Sequence, residues 1–443
     1  MNKDYEVIVA GGGTAGVITA TAAARNGAKT LVIERFGHLG GTAVYGIPFL
    51  GMYDGCDNKV NAGIAQELID RMKEEGGCLE ACFGATWMDE RYRFSLVPFE
   101  PEVYKYVAQE MLLEAGCDIL FYTMVTGVIV EGDVLKGIEV FNKSGKETYA
   151  AKVFIDCTGD ADIAYMCNVP MQPKERIQNS SILFKMGNVD MNKFLEALKN
   201  GQGITGWKEW HNRVIIGKKL NSDNVGPIHL AGHFVGKNGK EITFTAVSLI
   251  EDEVYINATR TVNVDSTNAL SLTQGEISER RNVHDIVNIL KESVPGFEKS
   301  HLINSSPIGI RESRNIVGEY TLQKEDVLSG KQFEDSVARG SYPIDIHDPK
   351  GGRTSFQFIK NGGSYSIPYR CLIPKGFKNL LVAGRCLSAT HEAVGTARIM
   401  GACMAQGQAA GTAAALAVKS GVNPSSLDVS VLQDTLIKQK ALI

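Results

Sequence analysis

The chain has no surplus of positive charge. Its 46 Lys and Arg are outnumbered by 50 Asp and Glu, a formal net charge of −4, so there is no basic field to draw in nucleic acid or an anionic membrane. It has no disulfide framework either. Nine cysteines, an odd number, are spread from Cys56 to Cys403, and the expectation is reduced, mostly buried thiols in a cytoplasmic protein. Cys78 and Cys82, the closest pair, lack the second pair or His cluster of a zinc or iron–sulfur site, so no metal is expected. GxSxG, HExxH and Walker-type loops are missing, and no early apolar stretch has the form of a signal peptide. Residues 7–24 and 399–417 are apolar on average, yet they are built of Gly, Ala and Thr, and the second contains Gln406 and Gln408. Such stretches suit close packing inside a domain rather than a bilayer.

What the chain does have stands at its start. Val7-Ile8-Val9-Ala10 reads as a buried strand, Gly11, Gly13 and Gly16 supply GxGxxG spacing, and an Ala-rich helix runs from about Thr14 to Asn26. Lys29 to Glu34 gives a second strand ending in an acid. Gly11 permits the tight turn, Gly13 lets the backbone approach a pyrophosphate, and Gly16 lets helix and strand pack closely. The free N–H groups of the first turn, at Thr14 and Ala15, hold phosphates, and Glu34 accepts from ribose hydroxyls. Strand, loop, helix, strand and acid fall in register, so a dinucleotide site is expected. A second GxGxxG, Gly201 to Gly206, follows a helix-like segment and has no strand–acid partner. It reads as a loop, which leaves no second nucleotide domain.

Further along, the period changes to two. Ile119 to Phe121, Val125 to Val130, Val134 to Val140 and Val153 to Ile155 read as strands, a β-meander inserted before a strand that ends in Cys157-Thr158-Gly159-Asp160. From about 170 to 370, alternating segments (Ser181 to Met186, Ile242 to Leu249, Glu253 to Ala258) mix with helical stretches at 190–199 and 274–292. Asn379 to Ala383 gives a last buried strand, followed by Gly384-Arg385, one long small-residue helix from around Glu392 to Val418, and a closing amphipathic helix with Leu432 and Leu436 on one face. The expected fold class is α/β. A Rossmann-like domain with a β-meander insertion takes residues 1–170 and 371–443, and an α+β substrate or cap domain with an antiparallel sheet takes 171–370.

The pattern resembles the FAD-dependent oxidoreductases of the glutathione-reductase-2 type, related to fumarate reductase flavoproteins. The resemblance covers nearly the whole chain. It rests on Gly11 to Gly16, on Glu34-Arg35 with Gly40-Gly41-Thr42, and on Ile155 to Asp162. It also rests on Gly309 to Arg314, Tyr342 to Pro349, Ile367 to Arg370 and the stretch from Leu381 to Gly411. The family implies FAD. By this resemblance Gly40, Gly41 and Thr42 meet the far phosphate, Thr158 and Gly159 pass the adenosine side, and Gly384 and Arg385 lie near the ribityl chain. Val125, Arg398 and Ile399 fall on the same path. Arg385 stands where relatives often have an acid for a ribityl hydroxyl, so a phosphate is its alternative partner. The helix turn at Ala393 to Gly395 is expected to aim its dipole at the flavin. The CxxxxC pair of glutathione-reductase relatives is absent, which argues against dithiol chemistry.

Flavin carries the redox step, so the protein must orient a substrate carbon and manage a proton. The candidates are His391 and Arg398, flanking the turn expected to meet the flavin, with Arg311 and Tyr369. Arg311 and Arg314 form either a carboxylate clamp or an interdomain salt-bridge network with Glu312 and Glu319. His347-Asp348 reads as an acid/base pair or as an Asx turn. Tyr45 and His38 lie on the segment expected to cover the flavin, and Arg260 reads as structural or surface. The expected function is hydride transfer between FAD and a small polar, anionic or hydroxylated molecule. A flavoprotein without net redox turnover (hydratase or isomerase), an electron-transfer subunit and an NAD-dependent dehydrogenase are the alternatives. Partners are a small-molecule substrate and no nucleic acid or membrane. A second copy of the chain and an electron-transfer protein are left open.

Overall fold

A computed structural model describes residues 4–85, 92–174, 177–200, 213–348 and 354–443. At its centre is a five-stranded parallel sheet in the order Leu380–Val382, Val153–Asp156, Val7–Ala10, Thr30–Ile33 and Asp118–Leu120. Four of the five strands are short runs buried at every residue, as a sheet covered on both faces requires. The first helix, Thr14–Arg25, covers one face and packs on Met400–Ser420. That contact needs small residues: a Cβ on Gly411 would sit 2.1 Å from the Thr19 carbonyl oxygen. The meander has three antiparallel strands, Met124–Glu131, Val134–Asn142 and Gly145–Ala150. Its third strand, polar along most of its length, escaped the apolar pattern.

The second sheet is antiparallel and six-stranded, ordered Arg213–Lys218, Val225–Val235, Glu241–Val247, Val254–Asn257, Leu183–Gly187 and His301–Ser305. One face packs with the helices Met191–Asn200 and Ala269–Ser293 into an apolar cluster drawn from residues 182–310. Leu322, Val327, Val337, Ile344, Tyr365, Ile367 and Tyr369 instead join the core of the first sheet. A boundary at residue 370 therefore cuts across that core. Gly201 to Gly206 lies outside the described residues.

One expectation needs correction. The single helix from 392 to 418 is two helices, His391–Ala397 and Met400–Ser420, because Ile399 is extended (φ −67°, ψ 145°). The start of the second helix reaches the cavity through Ile399, Met400 and Cys403, and Ala393 to Gly395 do not. Among the described residues no helix is long and apolar enough to cross a membrane.

Candidate functional site

The carboxyl ends of the parallel strands open into a cavity of about 1750 Å³, whose far wall is the second sheet. An ordinary small-molecule cleft is roughly 300–1,000 Å³, so there is room for a dinucleotide and a further molecule. Gly11, Gly13, Thr14, Ala15, Glu34, Arg35, Gly41, Thr42, Val125, Thr158, Gly159, Gly384, Arg385, Arg398 and Ile399 all line it. Gly16 and Gly40 do not. Gly16 lies against the Gly11 carbonyl, and Gly40 donates its N–H to Gly12 O at 2.8 Å, tying the two glycine loops together. The Glu34 carboxylate is buried and pins the loop, accepting from Gly12 N at 2.8 Å and Phe36 N at 2.9 Å. Arg385 pairs through Nη2 with Asp160 at 3.0 Å, while its buried Nη1 has no hydrogen-bond partner among the described residues. Backbone N–H groups at a helix start, an acid beside the loop and an unmet guanidinium donor fit a diphosphate-linked dinucleotide.

The other half of the cavity gathers charge from distant segments. Arg260, Arg311 and Arg398 all line it, as do Asp345 and His347. Arg398 Nη2 lies 3.4 Å from the Asp345 carbonyl, 3.5 Å from Gln178 Oε1 and 4.0 Å from Asp345 Oδ2. His347 Nε2 is 3.5 Å from Asp345 Oδ1, and its Nδ1 is 3.2 Å from the Thr354 hydroxyl. Burial works against the Asp345 carboxylate, but His347, Arg398 and Arg311 override it and hold its pKa at about 2. Burial and then the Arg311 charge push His347 down to about 4, so the ring is neutral at pH 7. Arg311 is lowered to about 9, first by burial and then by repulsion from Arg398.

Two catalytic candidates are not brought there. Tyr369 is packed in the core, 1% exposed, its hydroxyl donating to Pro424 O at 3.0 Å. His391 lies outside the cavity lining and holds Glu312 at 2.8 Å, and Glu312 also pairs with Lys174 at 3.2 Å. His38 stacks on Phe36 and is likewise absent from the lining. Arg311 and Arg314 splay apart. Arg314 stacks 4.2 Å over Tyr165 and pairs with Asp162, so neither the clamp nor the Glu312–Glu319 network forms. The missed residues are Arg260 and Asp345. In the strand Ile344–His347 every second residue shares a face, so Asp345, not Asp348, is the partner of His347.

His391→Ala is therefore expected to leave flavin bleaching at its normal rate and to act on stability. The Glu312 hydrogen bond raises the His391 pKa above its ordinary value of 6.5. That contribution is complete below pH 6.5 and is lost as pH rises through the raised folded value. Urea midpoints of wild type and variant should thus differ at pH 5.5 and converge at pH 9.

Fold and cavity together define a dinucleotide-dependent oxidoreductase of the flavoprotein type. The chain belongs to the FAD dependent oxidoreductase family, whose model it matches over residues 6–436, and FAD is its cofactor. It is similar in structure to an aromatic hydroxylase from angucycline biosynthesis, at 12% identity and a TM-score of 0.50, over 99% of this chain and 69% of that one. A p-nitrophenol 4-monooxygenase from Pseudomonas putida DLL-E4 matches at 13% identity and a TM-score of 0.48, over 98% and 84% of the two chains. A geranylgeranyl bacteriochlorophyll reductase-like protein from Thermoplasma acidophilum matches at 14% and 0.46, over 99% and 84%. No curated protein sequence matches the chain. At such identities the likeness concerns fold and leaves the substrate open.

Proposed function

We propose that this enzyme oxidises or reduces an anionic organic substrate held by Arg260, Arg311 and Arg398. The observation that carries this reading is three guanidiniums converging on one cavity, with His347 neutral and Asp345 the carboxylate paired among them. Positive charge gathered on one cavity wall favours a ligand that brings negative charge to it. FAD, when bound, supplies a two-electron acceptor or donor for a substrate C–H bond. Gly11, Gly13, Thr14, Ala15, Gly41 and Thr42 would hold its diphosphate, Glu34 the adenosine ribose, and Arg385 the remaining phosphate or ribityl oxygens. Residues from about 177 to 310 form the cap. The kinship with the glutathione-reductase-2 type belongs to the same proposal, on the motifs at 155–162 and 309–314.

The proton is handled by His347. Asp345 favours the N–H at Nε2 and stabilises the imidazolium, and Nδ1, beside Thr354, is the atom that accepts a proton. A bound anion offsets the Arg311 and Arg398 charges that hold the ring's pKa down, so binding prepares the base. kcat/KM, which reports the free enzyme, should then fall only below about pH 4, while kcat falls at a higher pH. His347→Gln should slow turnover by roughly 10²–10⁴-fold. The reading is tested by anaerobic mixing of the yellow protein with hydroxy acids, which can give a hydride to the flavin, against sugars and polyols. Loss of visible colour with acids alone supports it, and bleaching by uncharged compounds alone overturns it.

A further inference from the structure

The cap sheet has two unlike faces. One carries Leu230, Ile242, Phe244 and Ile256 into the cluster with the helices. The other lines the cavity with one row of short side chains, Ala231, Thr245 and Asn257, in register across three strands, beside a bulkier row of His229, Val247 and Tyr255. A row of short side chains keeps the space above the sheet open. Next to that row, against the same sheet, stands an apolar wall. Phe94, Leu50 and Tyr342 line the cavity and belong to a small cluster with Leu96, Ile215 and Ile228, separate from both main cores. Phe94 meets Tyr342 edge-on (centroids 6.3 Å, 68°) and leans on His229 (5.8 Å, 42°).

The wall and the charged cluster are joined by one short piece of chain. Tyr342 and Asp345 are three residues apart, so their Cα atoms are separated by at most roughly 11 Å. We propose that the substrate is an amphipathic acid, whose carboxylate reaches the arginines while a planar, ring-sized apolar body lies in the slot between Phe94, Leu50, Tyr342 and the cap sheet. This rests on the anion-binding reading above and narrows it. A small dianion held by the arginines would reach neither the aromatic wall nor the short-side-chain row of the sheet. A flat ring matches both, since aromatic rings gain from edge-on and stacked contacts as well as from burial.

The test is calorimetric titration of the FAD-loaded protein with phenylacetate, phenylacetamide and succinate. Phenylacetate is expected to bind at least about tenfold tighter than succinate, as burial of a ring implies, and at least about tenfold tighter than its uncharged amide. Succinate binding as tightly as phenylacetate, or more so, overturns the amphipathic substrate and leaves the anion site standing. The amide binding as well as the acid, or neither acid binding, overturns both. Ala231→Phe fills the slot and should weaken phenylacetate at least about tenfold more than succinate. Should that variant fold poorly, Leu50→Ala removes wall area and should weaken phenylacetate alone by several-fold. Equal effects on the two acids in either variant would sink the proposal.

Discussion

Gly13→Glu should yield a folded, colourless protein. Gly13 lines the cavity at the mouth of the first helix, and its backbone (φ −73°, ψ −168°) is one that any residue adopts. The nearest heavy atom to an added Cβ, the Gly41 Cα, is 4.0 Å away, so the side chain enters without collision. It brings a carboxylate to the place where a diphosphate must sit, and like charges at that distance cost several kcal/mol. FAD affinity should fall at least about a thousandfold, roughly 4 kcal/mol, with the urea midpoint of the apoprotein close to that of wild-type apoprotein. Gly11→Ala is the contrasting control. Gly11 has φ +96° and its Cβ would lie 2.4 Å from the Cys157 carbonyl oxygen, so this change should damage the fold itself. A yellow Gly13→Glu protein would show that the loop does not carry the diphosphate.

Arg311→Met should lose activity and gain stability. Burial, and then repulsion from Arg398 and Arg260, lowers the Arg311 pKa to about 9. Because the folded value lies below the ordinary 12.5, the penalty is complete below about pH 9 and is relieved as pH rises through that window. Methionine fills similar volume without the charge, at the loss of the hydrogen bond to Asn179 O. The net gain is expected to be about 1 kcal/mol, read as a higher urea midpoint at pH 7. In the same variant kcat/KM for any acid that bleaches the wild type should fall about 100- to 1,000-fold, roughly 3–4 kcal/mol, because a buried carboxylate then loses its partner. Activity within threefold of wild type would move the anion site elsewhere.

The glycine-loop half of this cavity was legible because its causes are local. Glycine spacing, an apolar strand on each side and an acid at the second strand's end lie within residues 7–34, and backbone geometry does the rest. The charged half is assembled from residues 260, 311, 345, 347 and 398, which no local pattern connects. His391 and Arg398 look equivalent on a continuous helix, one at each end of a turn. The break at Ile399 contains neither Pro nor Gly and so has no sequence signal. Tertiary contacts fix it: Arg398 is drawn to Asp345 and Gln178, and Gly401 N–H donates to Leu50 O at 3.1 Å. Tyr369 misled in the opposite way. Its segment leads back to the nucleotide-binding sheet and so suggested a cleft residue, whereas the side chain is buried with its hydroxyl on the Pro424 carbonyl.

The parallel sheet also sets a timetable for synthesis. The strand ending at Asp156 receives its outer neighbour only when Leu380 has been made, some 220 residues later. At ribosomal rates of roughly 5–20 residues per second, that edge stays bare for about 10–45 s. The helix that seals Thr14–Arg25 comes later still, at Met400–Ser420. A nascent chain stalled before that point would hold the whole glycine loop and yet have no closed receptacle for its cofactor, leaving an unpaired strand open to chaperones or to aggregation.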